Sequence, residues 1–236
     1  MRGKFITFEG GEGSGKSTQA TRLAERLRAL GIAVVQTREP GGSPGAEIVR
    51  HVLLAGAAKP LGPEAEAMLF AAARADHLDR TIRPALDRGA WVVCDRFADS
   101  TRVYQGTVGK ADPALIRALE RVAVGDTRPD LTLVLDLPAE IGLARADGRR
   151  EGGAVDRFES EALGFHAALR DAYRAIAEAE PGRCVVIDAA GPPDQVADAV
   201  WAVVCARLGA AQIDSPPSAD GAPSTDGPPA GTAARA

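Results

Sequence analysis

Apolar residues gather in five short unbroken runs along this chain, at positions 5–9, 33–37, 91–95, 131–137 and 183–188. None alternates strictly with polar residues. A strand wet on one face would alternate, so unbroken runs predict strands of a parallel sheet covered on both faces. Between the runs the apolar period becomes helical. Ala20, Leu23, Leu27 and Leu30 share one face of a helix predicted over 16–30, and Gly31 stands where a left-handed stop belongs. Asp112 followed by Pro113 marks a capped helix start, and Leu115, Ile116, Leu119 and Val122 continue it as one stripe. Residues 158–180 and 193–208 predict two more amphipathic helices. This alternation predicts an α/β fold: a five-stranded parallel sheet with helices on both faces and right-handed crossovers.

Composition narrows the class. The hydrophobic share is 45% and the charged share 25% over 236 residues, enough for one core in one domain, assigned here to residues 1–209. From about residue 210 the chain turns to Ala, Pro, Gly, Ser and Asp. It lacks the apolar side chains that would offset its ordering entropy, so 210–236 is expected to be a disordered tail. The net charge of −4 argues against a dedicated nucleic-acid binder. Cys94, Cys184 and Cys205 are widely spaced and form no CxxC pair. They fit reduced thiols rather than a disulfide framework or a zinc site. The first apolar run is too short for a signal peptide or a membrane span, so a cytoplasmic protein with no membrane partner is expected.

The chemistry begins at the end of the first run. Residues 10–17 read GGEGSGKS and fit G-x-x-x-x-G-K-[ST], placed between a predicted strand and a predicted helix as that motif requires. Gly10, Gly13 and Gly15 permit backbone angles closed to other residues, so the N–H groups of the loop, including those of Gly11, Glu12 and Ser14, can converge on a phosphate at a helix N-terminus. Lys16 supplies a full charge to the β- and γ-phosphates, and the Ser17 hydroxyl suits Mg²⁺. Thr18 follows in the first helical turn. Such a loop does not by itself separate kinase from switch or motor. A GTPase would read guanine with Asn-Lys-x-Asp, and this chain has no asparagine. The length and the five-strand pattern favour a small-molecule kinase.

Three further segments stand where ligands of open α/β sheets bind or close over them. Thr37-Arg38-Glu39-Pro40-Gly41-Gly42 ends the second run. Asp95-Arg96-Phe97 ends the third, with an acidic residue suited to Mg²⁺ and an arginine able to grip a phosphate in bidentate fashion. Residues 143–159 hold Arg145, Arg149, Arg150 and Arg157 among glycines, which fits either a lid over polyphosphate or a solvated charged loop.

FEGGEGSGKST, TREPGG, LFAAARADH, DRFADSTRVYQG, RPDLTLVLDL and VDRFE occur in this order. Together, over residues 4–208, they make the chain resemble a bacterial thymidylate kinase. The resemblance implies a P-loop kinase fold, ATP and dTMP as substrates, Mg²⁺ as cofactor, and a homodimer built by helix packing. Residues 10–18 and Arg145 would bind ATP, with Ser17 and Asp95 at the metal. Glu12 would face the deoxyribose 3′-hydroxyl. Arg38 and Arg96 would hold the acceptor monophosphate, beside Pro40. Phe70 would stack on thymine, with Arg74 one turn further along the same helix face. Thr101 and Gln105 would border the base, and Tyr104 would crowd a 2′-hydroxyl. Lys16, Asp95, Arg96 and either Arg149 or Arg150 would be the catalytic set. Gly13 in place of arginine matches the bacterial type, which takes its catalytic arginine from the lid. Arg102 departs from the family's smaller residue and is expected at the rim of the acceptor site. From the residues alone, Phe70 fits a core aromatic equally well. A kinase for another nucleoside monophosphate or a deoxynucleoside also remains open, as does a non-catalytic ATP-dependent binding protein. No role falls to His51, His77 or His166.

Overall fold

The computed structural model describes residues 2–148, 158 and 161–209. The expectations for Arg149, Arg150, Arg157 and the tail at 210–236 lie outside those residues. Five parallel strands form one sheet in the order β2-β3-β1-β4-β5, with β1 Phe5–Glu9, β2 Val34–Arg38, β3 Trp91–Asp95, β4 Leu131–Asp136 and β5 Cys184–Asp188. Each predicted strand is present within one residue at either end. Arg38 closes β2 because it pairs in register with Asp95 of β3.

The period-two pleat divides β1 between two cores. Ile6 and Phe8 pack with Leu23 and Leu27 of α1 (Lys16–Ala29) and with Val200 and Val204 of α9 (Pro193–Leu208). Phe5 packs on the opposite face, against Leu78, Ile82 and Phe97. Glu9 shares the side of Phe5, so the alternation delivers a carboxylate to that face at the strand's end. β1 is buried throughout, and β2, at the sheet edge, is the more exposed of the two. Helices therefore cover both faces, as continuous apolar strands require.

Helix ends follow local chemistry. Gly31 ends α1 at φ 79°, where its N–H reaches the Arg28 carbonyl and that of Ile32 reaches Leu27. Asp112 Oδ1 accepts from the Ala114 N–H at 2.8 Å and opens α6 (Pro113–Ala123). The helix expected over 158–180 begins only at Leu163, as α8 (Leu163–Ala179), and Phe158 lies in a turn. Phe158 owes its apolar character to a tertiary contact, edge-on to Tyr104 at 5.1 Å, which helical periodicity mistook for the helix's first turn. The remaining helices carried no such signal. α2 (Pro44–Leu54) packs on α3 (Gly62–His77), which widens at Leu78–Ile82 before α4 (Arg83–Asp87). α5 (Ala98–Thr101) widens in the same way over Arg102–Val108. α7 (Ala139–Asp147) follows β4.

Asp112→Ala removes a side-chain cap whose loss typically costs about 1 kcal/mol. Thermal unfolding should show Tm lowered by about 2–4 °C, with unfolding still cooperative. An unchanged Tm would mean that the cap contributes nothing here.

Candidate active site

The carboxyl ends of β1, β2 and β3 open into a cleft of about 720 Å³, lined by the phosphate loop, the end of α2, one face of α3 and the segment 95–105. The loop itself is built from positive φ: Gly10 at 138°, Gly13 at 68° and Gly15 at 89°. It also presses on α7. A Cβ at Gly13 would stand 1.9 Å from the Gly142 carbonyl oxygen, and one at Gly142 would stand 2.4 Å from that of Glu12. Lys16 is buried and turns back over the loop, donating to the Gly11 carbonyl at 2.7 Å. Burial, then the nearby Arg96 charge, pushes its ammonium down to about 8, against the pull of Glu12, Asp95 and Glu9. Ser17 is exposed and donates to Asp95 Oδ2, while Asp95 Oδ1 is buried without a hydrogen-bond partner. Thr18 is exposed in the next position of α1.

Arg96 occupies the middle of the cleft with φ 67°, a left-handed angle rare outside glycine. Its guanidinium donates to Glu12 Oε1 at 2.5 Å, to the Gly10 carbonyl at 3.2 Å and to the Tyr173 hydroxyl at 3.3 Å. It also lies 5.1 Å from the Tyr104 ring centre, within cation–π range. Burial would raise the Glu12 carboxyl, but the charges of Arg96 and Lys16 and the Tyr104 hydroxyl, which donates to it at 2.9 Å, hold it at about 2. Below this pair lies a residue that the motifs did not single out. Glu9 is fully buried and accepts from Phe97 N–H at 2.8 Å, Ser100 Oγ at 2.7 Å and Tyr173 Oη at 3.1 Å. Burial, reinforced by Asp99, pushes its carboxyl up to about 7 against the Ser100 bond and the Arg96 charge.

The far end of the cleft brings Phe70, Arg74, Thr101, Tyr104 and Gln105 together, so the helical spacing of Phe70 and Arg74 does place both on the cleft wall. Arg74 is buried and donates to Glu39 at 2.8 Å, and to the Phe97 carbonyl and Thr101 Oγ1 at 3.1 Å each. Gln105 reaches Glu66 at 3.4 Å. Pro40 follows a cis peptide bond and takes a 2.6 Å hydrogen bond from Arg50 on its carbonyl. Arg38 lies at the mouth, half exposed and paired with Glu47 at 3.1 Å. Arg145 stands apart from the cleft lining and donates to the Ala189 and Ala190 carbonyls beyond β5. Arg102 is not a rim residue as expected. Asp99 and Glu180 hold it, at 2.9 and 2.6 Å, and it does not line the cleft. Cys94 is buried in β3 as expected, and Cys184 is buried while Cys205 is half-buried.

The residues that sequence motifs singled out, namely the loop, Arg96, Phe70, Arg74, Thr101, Tyr104 and Gln105, line one cleft, while Glu9, Ser100, Tyr173 and His77 were not singled out. Glu9 was legible in principle, as a charged residue closing an otherwise apolar strand. Tyr173 lies 164 positions from Glu9 and carried no local signal.

Comparison with known proteins agrees with this geometry. The family model described as thymidylate kinase matches residues 8–200. A thymidylate kinase of Bradyrhizobium diazoefficiens is 62% identical over 207 residues, covering 88% of this chain and 91% of the relative. One of Nitrobacter winogradskyi is 62% identical over 204 residues, covering 86% and 89%. The crystal structure of a thymidylate kinase from Ehrlichia chaffeensis superposes with a TM-score of 0.69 at 35% identity, covering 86% of this chain and 99% of that one. With its strand order, and with its phosphate loop in one cleft with Phe70, Arg74, Thr101, Tyr104 and Gln105, this chain belongs to the thymidylate kinase family.

Proposed function

We propose that this chain transfers the γ-phosphoryl group of ATP to dTMP, giving ADP and dTDP. The observation that carries the reading is that one cleft joins the phosphate loop to a wall of Phe70, Arg74, Thr101, Tyr104 and Gln105. That wall offers a stacking face and hydrogen-bond groups at the size of a single nucleotide. The acceptor is a monophosphate whose second pKa is about 6, so at neutral pH it attacks as a dianion and needs no strong general base. The difficulty is the approach of two polyanions. Unit charges about 4 Å apart repel by ~4 kcal/mol at an effective dielectric of 20. Lys16 on the donor and Arg38 and Arg96 on the acceptor offset that repulsion and align the attack, so catalysis is positioning plus electrostatics. In this reading Glu12, which accepts from the Tyr104 hydroxyl at 2.9 Å, would face the 3′-hydroxyl of the acceptor, and Tyr104 would crowd a 2′-hydroxyl.

Ser17 and Asp95 fit Mg²⁺: a hydroxyl and a carboxylate in contact, one carboxylate oxygen lacking any partner, and no cluster of three or more His, Cys, Asp or Glu among the described residues. Such sparse protein ligation is usual where phosphates complete the shell. Bound there, the ion would neutralise charge on the transferring group. Arg145 and one of Arg149 and Arg150 complete this reading from the lid segment 143–159. Residues 1–209 are the catalytic domain, with 210–236 outside it.

The reading includes a homodimer. Ile48, Val52, Leu61, Met68 and Val122 are exposed apolar side chains on or beside α2, α3 and α6, and α3 packs against both of the others. Apolar side chains gathered on neighbouring helices suit an interface.

The direct test is ADP release with Mg²⁺ and ATP across dTMP, dUMP, dCMP, dGMP and AMP. dTMP should give the highest kcat/KM, and a panel led by another acceptor would remove the substrate assignment. Because Lys16 of the free enzyme loses its proton near pH 8, kcat/KM for ATP should decline above about pH 8, while kcat at saturating ATP changes less. A flat profile to pH 9.5 would exclude that ionisation. Met68→Glu should shift light-scattering mass from dimer to monomer at micromolar concentration. A wild-type monomer, or a dimer indifferent to the change, would discard this face.

A further inference from the structure

Among the described residues, His77 is the one histidine whose ring is bonded on both sides. Its side chain is wholly buried. Nδ1 lies 3.1 Å from Glu39 Oε1 and Nε2 lies 2.7 Å from Thr37 Oγ1. A carboxylate only accepts, so Nδ1 donates, and the Thr37 hydroxyl can answer Nε2 in either sense. The other Glu39 oxygen takes the Arg74 Nε–H at 2.8 Å. Arg74 and His77 stand one turn apart on α3, so a single helix face clamps both oxygens of one buried carboxylate.

That carboxylate belongs to the loop bearing the acceptor's other contacts. Arg38 precedes Glu39 and Pro40 follows it, and both line the cleft. The loop is shaped around the imidazole. A Cβ at Gly42, whose φ is 84°, would stand 2.4 Å from His77 Nε2. Thr81, just past α3, donates to the Gly42 carbonyl at 2.8 Å. Thr37, His77, Glu39 and Arg74 thus form one chain of bonds from the end of β2 to the arginine on the acceptor wall. Arg74 has its Nε and Nη2 fixed by Glu39, Phe97 and Thr101, and Nη1 takes part in none of these bonds.

We propose that His77 is a positioning residue for the nucleotide acceptor: by fixing Glu39 it sets Arg74 at the base end of the cleft and Arg38 at the phosphate end as one rigid unit. The inference rests on the acceptor reading above. His77 does not line the cleft. It acts on acceptor binding and base discrimination, and leaves the ATP side, built on the phosphate loop, untouched.

Two substitutions separate this role from simple packing. In His77→Asn the side-chain amide can replace Nδ1 and still donate to Glu39. In His77→Gln the amide reaches only the position of Nε2. Both shrink the ring, so a packing role predicts similar losses in each. A positioning role predicts that His77→Gln raises KM for dTMP about tenfold, the scale of one hydrogen bond to a charged group. It also predicts that preference for dTMP over dCMP narrows, that His77→Asn stays within about threefold, and that KM for ATP moves less than about twofold in both. Thr37→Val, which deletes only the partner of Nε2, should raise KM for dTMP about threefold with near-native Tm. It decides the matter if the histidine variants do not fold. Equal rises in both KM values, equal effects of Asn and Gln, or unchanged dTMP kinetics in folded variants would overturn the proposal. A wild-type enzyme inactive on dTMP would instead overturn the acceptor reading itself.

Discussion

The Glu12–Arg96 ion pair organises the centre of the molecule. Its members stand 84 positions apart in sequence and meet at 2.5 Å, each with only about one-sixth of its side chain exposed, 15% and 16%. Burying either charge alone would cost several kcal/mol, so each requires the other. The pairing of β1 with β3 makes the meeting possible. Phe8 and Asp95 are in register, so the phosphate loop and Arg96 leave the same sheet edge side by side. Arg96 then ties down the loop's first carbonyl, at Gly10, and lies near the face of Tyr104. The left-handed backbone at Arg96 belongs to the same arrangement, because it turns the chain sharply from strand into α5 while Glu9 collects the Phe97 N–H behind it.

Two carboxylates three residues apart are driven in opposite directions by this geometry. Glu12 faces Arg96 and Lys16 directly and stays ionised, at about 2. Glu9 lies deeper, where burial and Asp99 outweigh its hydrogen bonds, and rises to about 7. Its oxygens accept from Phe97 N–H and Ser100 Oγ and so hold the 97–100 segment. Burial depth and the nearest charges therefore drive two chemically equivalent groups apart.

How much of this was legible in the sequence follows from the range of each interaction. Strands and caps are local: unbroken apolar runs gave the five strands, and Asp112-Pro113 gave the start of α6. The phosphate loop is also local, since its glycines, lysine and serine are consecutive. The far wall of the cleft was reached through resemblance and through the four-residue spacing of Phe70 and Arg74. What stayed hidden is tertiary. His77 and Glu39 are 38 positions apart, and Glu9 and Tyr173 are 164 apart, so no window along the chain contains either pair. Arg102 shows the converse error. Its place beside the acceptor motif suggested the site, yet Glu180, 78 positions away, draws it elsewhere.

Gly13 is a further case in which chain-wide geometry explains a local choice. Positive φ alone would permit asparagine at some cost, but the Gly142 carbonyl 1.9 Å from a would-be Cβ permits no side chain while α7 stays where it is. Gly142 meets the same limit from the other direction, against the Glu12 carbonyl. Two backbones therefore touch through paired glycines, and helix α7 seats directly on the phosphate loop. That helix carries Arg145, and the chain continues from it into Arg149 and Arg150. An arginine at position 13 and a helix at this distance exclude each other sterically. A glycine at position 13 is thus what lets α7 approach the loop, which gives the absence of arginine there a packing cause.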